Sequence, residues 1–216
     1  MRARTPAVQS DRSEKMALFR IGGSLEEAHL VRGDGVYLRP GHARDYRAWA
    51  ELRERSRAFL TPWEPTWPTD DLTRTAFRQR LRRQTEEIER DETYPFFVFR
   101  TADDALVGGL TLGQIRRGVA QTATMGYWMG VDFAGKGYMS RAVRATIAHG
   151  FAHMRLHRIE AACLPHNMPS VRLLEGCGFT REGYARAYLR INGQWQDHLL
   201  FALLDGDPTP EPRPRG

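Results

Sequence analysis

A glycine-rich turn between two patterned segments is the part of this sequence best suited to bind a phosphate. Gly135-Lys136-Gly137 follows an apolar and aromatic run, Met125 to Val131, that is typical of a buried strand. A helical pattern begins directly after the turn, with apolar positions Met139, Val143, Ile147 and Phe151. In such a strand–turn–helix arrangement, backbone N–H groups at the helix N-terminus bind phosphate. The spacing therefore predicts a phosphate-binding loop.

Two familiar phosphate-binding motifs do not fit this loop. A dinucleotide motif needs G-x-G-x-x-G after a first strand, whereas Ser140 stands at the third glycine position and three predicted strands precede the loop. A nucleoside triphosphate loop needs Ser or Thr directly after Gly-Lys, and Gly137 stands there. The turn alone thus predicts phosphate binding and leaves the rest of the ligand open.

The cysteines and histidines form no pattern of a disulfide or metal site. We interpret Cys163 and Cys177 as small core residues, because two cysteines make no disulfide framework. His149 and His153 have the i,i+4 spacing of a zinc pair, but no third ligand follows the pattern. We therefore expect no bound metal.

A proline-rich loop after the first predicted helix is a second candidate for function. Residues 62–68 contain three prolines, two tryptophans and Glu64. Two interpretations stay open, because loops that carry aromatics and a carboxylate are often functional. The loop is either a lid packed on the core or one wall of a substrate cleft, with Glu64 available to an amine.

Length and composition indicate one domain in a chain of 216 residues. We predict a flexible N-terminal extension at residues 1–30, a domain at residues 31–205 and a proline-rich disordered tail at residues 206–216. No apolar run approaches the roughly 20 residues of a membrane helix. No apolar secretory segment follows the N-terminus, so a cytoplasmic location is expected. The net charge of +6 comes without a basic stripe interleaved with aromatics, so a nucleic-acid partner is not expected.

The periodicities predict an α+β fold with a mixed, mostly antiparallel sheet. A strand at residues 36–40 is followed by helices at residues 43–60 and 71–90, the second capped by Thr69, Asp70 or Asp71. Three antiparallel strands come next, and Gly108-Gly109 in the second predicts a bulge or a close backbone approach. The helix at residues 139–155 then connects the central strand to a parallel partner at residues 159–164. A short helix and a hairpin turning at Asn192-Gly193 end the domain.

The motifs of the second half resemble the GNAT acetyltransferases, and among them the ribosomal-protein-alanine N-acetyltransferases, the Rim enzymes. The resemblance spans roughly residues 36–204 and joins the segments 135–139, 157–161, 165–170, 173–175, 178–179 and 191–198 with Pro62-Trp63-Glu64-Pro65. It implies a GNAT fold, acetyl-CoA as cosubstrate and a primary amine as acceptor. The acceptor implied is a protein N-terminal α-amine of the ribosomal-protein type.

The resemblance also implies which residues hold acetyl-CoA. The central strand would bond the pantetheine arm as a further strand, through Met129, Gly130 and Val131. The N–H groups of the loop would hold the pyrophosphate, and Asn167 and Ser170 would lie beside the thioester. The loop residues concerned are Gly135, Lys136, Gly137, Tyr138, Met139 and Ser140.

Departures from the family pattern leave the proton carriers open. Ala134 and Met139 stand where the family loop has Gln or Arg and Gly or Ala, and Leu174 and Ala162 stand where many members have a catalytic Tyr and Glu. The replacement candidates are Tyr188 as acid and Glu64 or Glu160 as base. A non-catalytic acyl-CoA-binding module and an acetyltransferase for small amines are therefore kept as alternatives. Both a monomer and a homodimer stay open.

Overall fold

The computed structural model describes residues 29–208 and residue 210. In this part of the chain, eight strands form one sheet: β1 (Val31–Gly33), β2 (Val36–Arg39), β3 (Tyr94–Arg100), β4 (Leu106–Arg116), β5 (Thr122–Met129), β6 (Arg158–Cys163), β7 (Thr180–Ile191) and β8 (Gln194–Leu204). The helices are α1 (Tyr46–Arg55), α2 (Arg57–Leu60), α3 (Arg74–Glu89), α4 (Tyr138–Ala152) and α5 (Met168–Gly176). All these elements lie between Val31 and Leu204, while most of the predicted extension and tail lies outside the described residues.

The strand order is β1-β2-β3-β4-β5-β6-β8-β7. Among the described strands, the pair β5 and β6 is parallel and every other neighbouring pair is antiparallel. The helix α4 forms the crossover between the two parallel strands, as such a connection requires. The predicted fold class and its single parallel junction are confirmed.

Each face of the sheet is covered by its own helices. The α4 and α5 face contains the larger core, where Met125 of β5 and Ile159 of β6 pack against Val143 of α4. The α1 and α3 face contains a second core around Trp49 and Phe77, both at most 1% exposed. Burying a large apolar side chain contributes about 1.5–3 kcal/mol, so these two layers fix the sheet between the helices.

The glycines of β4 allow β5 to approach closely, as predicted. A Cβ on Gly109 would overlap the indole of Trp128, and one on Gly108 would overlap the Trp128 carbonyl oxygen. The two glycines therefore let the Trp128 ring lie flat against the neighbouring strand on the α1 and α3 face.

Several predicted boundaries are wrong. The strand β1 was not predicted, because its three residues are too few for a periodic signal. The helix predicted at residues 43–60 is interrupted at Ser56, whose hydroxyl oxygen accepts the Val131 N–H (3.0 Å). The cap of α3 is Thr73, whose hydroxyl accepts the Ala76 N–H (3.2 Å).

The central strand also ends earlier than predicted. It stops at Met129, and Val131 begins a 3-10 turn, Val131–Phe133. The chain thus leaves the sheet before the glycine loop, and Val131 belongs to the connection rather than to the strand. None of the helices within the described residues has the length and apolar character needed to span a membrane.

Candidate active site

The central feature of the site is a gap where β5 separates from its parallel neighbour. The parallel pairing ends at Met125, whereas β5 stays bonded to β4 as far as Met129. Next along the chain, the Gly130 N–H donates to the Val107 carbonyl (2.9 Å). The alternation of an antiparallel ladder therefore turns the peptide groups of Tyr127 and Met129 away from β4 and toward the gap. An extended ligand with amide groups can bond there as a further strand would.

The glycine loop has the geometry that anion-binding helix termini require. Gly135 and Gly137 have left-handed backbone, with φ of +71° and +75°. Gly137 is the N-cap of α4, has no side chain to cap the helix, and is followed by a first turn without an acidic residue. The N–H groups of Tyr138, Met139 and Ser140 lie in this first turn, where an α-helix provides no intrahelical partner.

Positively charged groups surround the loop. The Arg100 Nη1 donates to the Tyr138 hydroxyl (3.3 Å), and this contact lowers the pKa of Tyr138. The Arg141 guanidinium lies 4.8 Å from the Tyr138 ring centroid, and the Lys136 Nζ donates to the Asp132 carbonyl (2.6 Å). Arg100 is also paired with both Asp103 oxygens (2.7 and 2.6 Å), so Lys136 and Arg141 contribute most of the positive charge that favours a phosphate at the N-terminus of α4.

The N-terminus of α5 completes the side of the gap next to α4. The Asn167 Oδ1 accepts the Ser170 N–H (3.3 Å), so Asn167 is the N-cap of α5. The Tyr127 hydroxyl lies beside Ser170, yet it has no well-formed hydrogen bond to any described residue. Burial raises the pKa of Tyr127, which keeps its proton. A buried donor without a partner is uncommon, and because this one lies beside the gap it is a candidate to donate to a ligand atom.

The predicted bases are held in ion pairs. Both Glu64 oxygens accept from the Arg53 guanidinium (2.8 and 2.7 Å), and one also accepts the Trp67 Nε1–H (2.7 Å). Glu160 accepts from Arg158 (2.9 Å) and from Arg116 (3.2 Å) in the paired part of β6. Their assignment as bases stays a prediction, and their contacts favour a structural role.

The other predicted site residues are partly in place. Tyr188 is 46% exposed on β7, with its ring 5.7 Å from that of His198, and its assignment as the acid stays a prediction. The N–H groups of Gly130 and Val131 are already bonded within the protein, which leaves Met129 as the predicted strand residue whose peptide group faces the gap. Within residues 29–208, no group of three or more His, Cys, Asp or Glu is arranged to hold a metal ion.

The opposite face of the gap is bordered by the proline-rich loop and the last hairpin. The Asn192 N–H donates to the Glu64 carbonyl (2.9 Å), and the Trp63 ring lies 5.5 Å from that of His166. Gly126 lies on this face of β5, is exposed, and a Cβ added there would contact no atom within 4 Å. The loop is thus hydrogen-bonded to the hairpin, which agrees with the interpretation of the loop as one wall of a cleft. Gly126 leaves open space beside the gap.

Sequence reasoning missed Tyr127, Gly126 and Arg53. The sequence contains a partial signal for Tyr127 and Gly126. They are neighbours in β5, and because side chains alternate between the two faces of a strand, they must lie on opposite faces. Arg53 carried no signal, since its pairing with Glu64 depends on how the loop folds back on α1. The point where β6 stops pairing was not visible in the sequence either.

Comparison with known proteins agrees with this geometry. Residues 36–180 match the family described as "Acetyltransferase (GNAT) domain". A probable N-acetyltransferase, YjcK of Bacillus subtilis, is 38% identical over 82% of this chain and 98% of its own length. The [ribosomal protein uS5]-alanine N-acetyltransferase of Escherichia coli is 34% identical over 89% of this chain and 99% of its own length.

A solved structure gives the same result for the fold. Mycobacterium smegmatis RimJ, in complex with CoA-disulfide, superposes with a TM-score of 0.76 at 33% identity, covering 82% of this chain and 86% of that one. The predicted resemblance is confirmed: the chain belongs to the GNAT family of acetyltransferases and is similar to the ribosomal-protein-alanine N-acetyltransferases.

Proposed function

We propose that this enzyme transfers the acetyl group of acetyl-CoA to the N-terminal α-amine of a protein. The observation that carries the proposal is the unpaired stretch of β5, whose Tyr127 and Met129 peptide groups face a gap that leads to the glycine loop. Pantetheine contains two amide groups and suits such a strand edge, while its pyrophosphate suits a helix N-terminus. The similarity to the ribosomal-protein-alanine N-acetyltransferase of Escherichia coli supports the acceptor class.

The chain's own groups account for binding of acetyl-CoA. The N–H groups from Gly135 to Ser140 hold the pyrophosphate, and the cations around Tyr138 balance its charge. The Met129 and Tyr127 peptide groups bond the pantetheine arm. This site is built mostly from backbone, so the unusual side chains of Ala134 and Met139 do not remove it.

The reaction then needs positioning and few reactive side chains. The neutral amine attacks the thioester carbonyl carbon, a C–N bond forms, and the Met129 N–H stabilises the oxyanion. The C–S bond breaks and CoA leaves as a thiolate, with an ordinary thiol pKa of about 8.5. The Ser170 and Tyr127 hydroxyls are donors on that side of the gap. The proton lost by nitrogen passes to water, because Glu64 and Glu160 are held in ion pairs.

The proline-rich loop and the hairpin together form a wall that supports a polypeptide acceptor. Beside this wall, Gly126 leaves open space on the face of β5 opposite Tyr127, so the amine and the CoA arm approach from different sides. Such an arrangement accelerates transfer by holding the amine and the thioester carbonyl in a reactive orientation.

The test is acetyl transfer by the purified full chain. Acetyl-CoA is mixed with a panel of N-terminal peptides and small amines, and products are read by mass. We expect acetylated peptides. Thermal stabilisation by CoA without product would favour the non-catalytic module, and turnover of small amines alone would favour the small-molecule enzyme.

A matched pair of variants tests the loop. Gly135→Val places a side chain at φ +71° in the anion-binding turn, and Gly118→Val does the same at φ +67° in the distant β4–β5 turn. Both face open space, so both carry similar backbone strain. Loss of CoA binding is expected for Gly135→Val alone. Equal CoA affinity in both variants would contradict the loop assignment.

A further inference from the structure

A cavity of about 240 Å³ lies on the α1 and α3 face of the sheet, and we call it the arginine cavity. Its polar and aromatic walls include two indole rings, two guanidinium groups, one carboxylate and two neutral polar side chains: Trp49, Trp128, Arg53, Arg80, Glu64, Gln84 and Thr111. Since one water occupies about 30 Å³ of liquid, the cavity has room for an acidic side chain with some water. None of the steps of acetyl transfer uses it.

The arginine cavity adjoins the reacting centre. Trp128 lies in β5 between Tyr127 and Met129, and its side chain is on the opposite face from theirs. Thr111 is paired with Gly126, where a Cβ would meet open space. A group bound in the cavity is therefore separated from the gap by the thickness of one strand. It belongs to the acceptor side rather than to the CoA side.

Arg53 points an unused donor into buried space. Its side chain is 8% exposed and is stacked between Trp67 and Trp128, at 3.9 and 4.9 Å from the ring centroids. The two terminal nitrogens bind Glu64, while the buried Nε has no hydrogen-bond partner among the described residues. A buried N–H without an acceptor costs free energy, and an incoming oxygen would remove that cost.

Arg80 is the less satisfied of the two cations. Its Nη2 donates to Asp71, and in the described part of the chain no other acceptor contacts its guanidinium. It lies 4.9 Å from the Trp49 ring centroid. Burial lowers the pKa of Arg80, attraction to Asp71 opposes this shift, and repulsion from Arg53 adds to it. The lining thus has two guanidinium groups and one carboxylate, that of Glu64, which is an excess of one positive charge, and the Arg53 Nε–H is a spare donor.

We propose that the arginine cavity binds a carboxylate side chain of the acceptor, so that the preferred acceptors are polypeptides with Asp or Glu close to the N-terminal amine. This inference rests on the proposed function and names its substrate class. A carboxylate would accept from Arg80 and would relieve the repulsion between the two guanidinium groups. A Lys or Arg at the same place would add a third cation and be excluded.

Peptides that differ at a single position test the inference. The full chain is given acetyl-CoA and peptides with an N-terminal alanine followed by small neutral residues, in which Glu, Gln or Lys replaces each early residue in turn. Release of CoA gives kcat/KM. Binding is followed separately, by tryptophan fluorescence in the presence of CoA. At one of these positions we expect Glu to exceed Gln by about 10- to 100-fold in kcat/KM, and Lys to be weakest.

A charge reversal with a matched control identifies the residue. Arg80→Glu should invert the preference, so that the Lys peptide becomes better than the Glu peptide. Arg83→Glu is the control, because Arg83 is on the same helix, is 67% exposed and pairs with Glu87 outside the cavity. It should keep the order of the wild type.

The outcomes separate this inference from the proposed function. Equal rates for Glu, Gln and Lys peptides, or an unchanged order in Arg80→Glu, would overturn the cavity assignment and leave N-terminal acetylation standing. Preferential binding of acidic peptides without acetylation would support the cavity and reject the activity. Turnover of free glutamate in place of any peptide would overturn the polypeptide class. Failure of both binding and turnover would reject both proposals.

Discussion

Replacing Glu64 with Gln should destabilise the protein without changing the pH dependence of its activity. The Arg53–Glu64 pair has two short hydrogen bonds, 2.8 and 2.7 Å, between side chains that are 8% and 18% exposed. Removing one partner of a buried pair typically costs about 3–5 kcal/mol, because the other charge stays buried. Since Glu64 keeps some exposure, about 3 kcal/mol is expected. For a chain of this size that is a fall in melting temperature of about 6–12 °C.

Thermal melts and urea titrations of the variant measure this loss, and kcat against pH measures the catalytic role. Glu160→Gln is the control, because its carboxylate is 33% exposed and a surface pair contributes about 1 kcal/mol or less. Replacing Arg53 and Glu64 together by Leu should restore most of the stability, since no buried charge remains. A Glu64→Gln protein that melts like the wild type, but has a much lower kcat that no longer falls at acid pH, would refute this reasoning and make Glu64 the general base.

Three further perturbations address the gap and the core. Gly126→Leu is expected to raise KM for the acceptor and leave the Kd for CoA unchanged, because the new side chain enters open space on the acceptor face; weaker CoA binding would contradict this. Tyr127→Phe should keep stability within about 1 kcal/mol, because the hydroxyl has no partner, and should lower kcat by about 10-fold or more through loss of a donor near the leaving thiolate. Burial, then repulsion from His153 and His29, lowers the pKa of His149, so the unfolded chain binds more protons in acid. Stability should therefore fall as pH drops below about 6.5, the ordinary His pKa, and melting curves of His149→Phe should show a weaker fall.

The sequence predicts those parts of the molecule that local signals encode. The glycine turn, the crossover helix and the Asn192-Gly193 hairpin are each specified by a few adjacent residues, and the structure has all three. The one parallel junction followed from the order of the elements alone. Local chemistry and chain order are thus enough for the fold class and for the position of the glycine loop.

The remaining features depend on contacts between distant residues. Val131 looked like a continuation of the apolar strand, and only the bond to Ser56, far back in the chain, shows why it turns away. In the sequence Glu64 is available to an amine, whereas in the structure its carboxylate is paired with the guanidinium of Arg53, which lies in α1. The Tyr127 hydroxyl becomes informative only when its burial is known. Packing, rather than pattern, determines these assignments.

A binding site built from main-chain atoms affects how the sequences of relatives can diverge. The main-chain groups concerned are the peptide groups of Tyr127 and Met129 and the turn at Gly135 and Gly137. A ligand held by main-chain atoms is indifferent to most side-chain replacements, provided that the φ values of the two glycines and the end of the β5–β6 pairing are kept. The side chains at the nucleotide end of such a site can be replaced in many ways while the affinity for the ligand stays constant. Selection is then free to act on the other side of β5, where side chains meet the acceptor. One scaffold can in this way acquire a new acceptor through a few changes near the arginine cavity, while its donor stays the same.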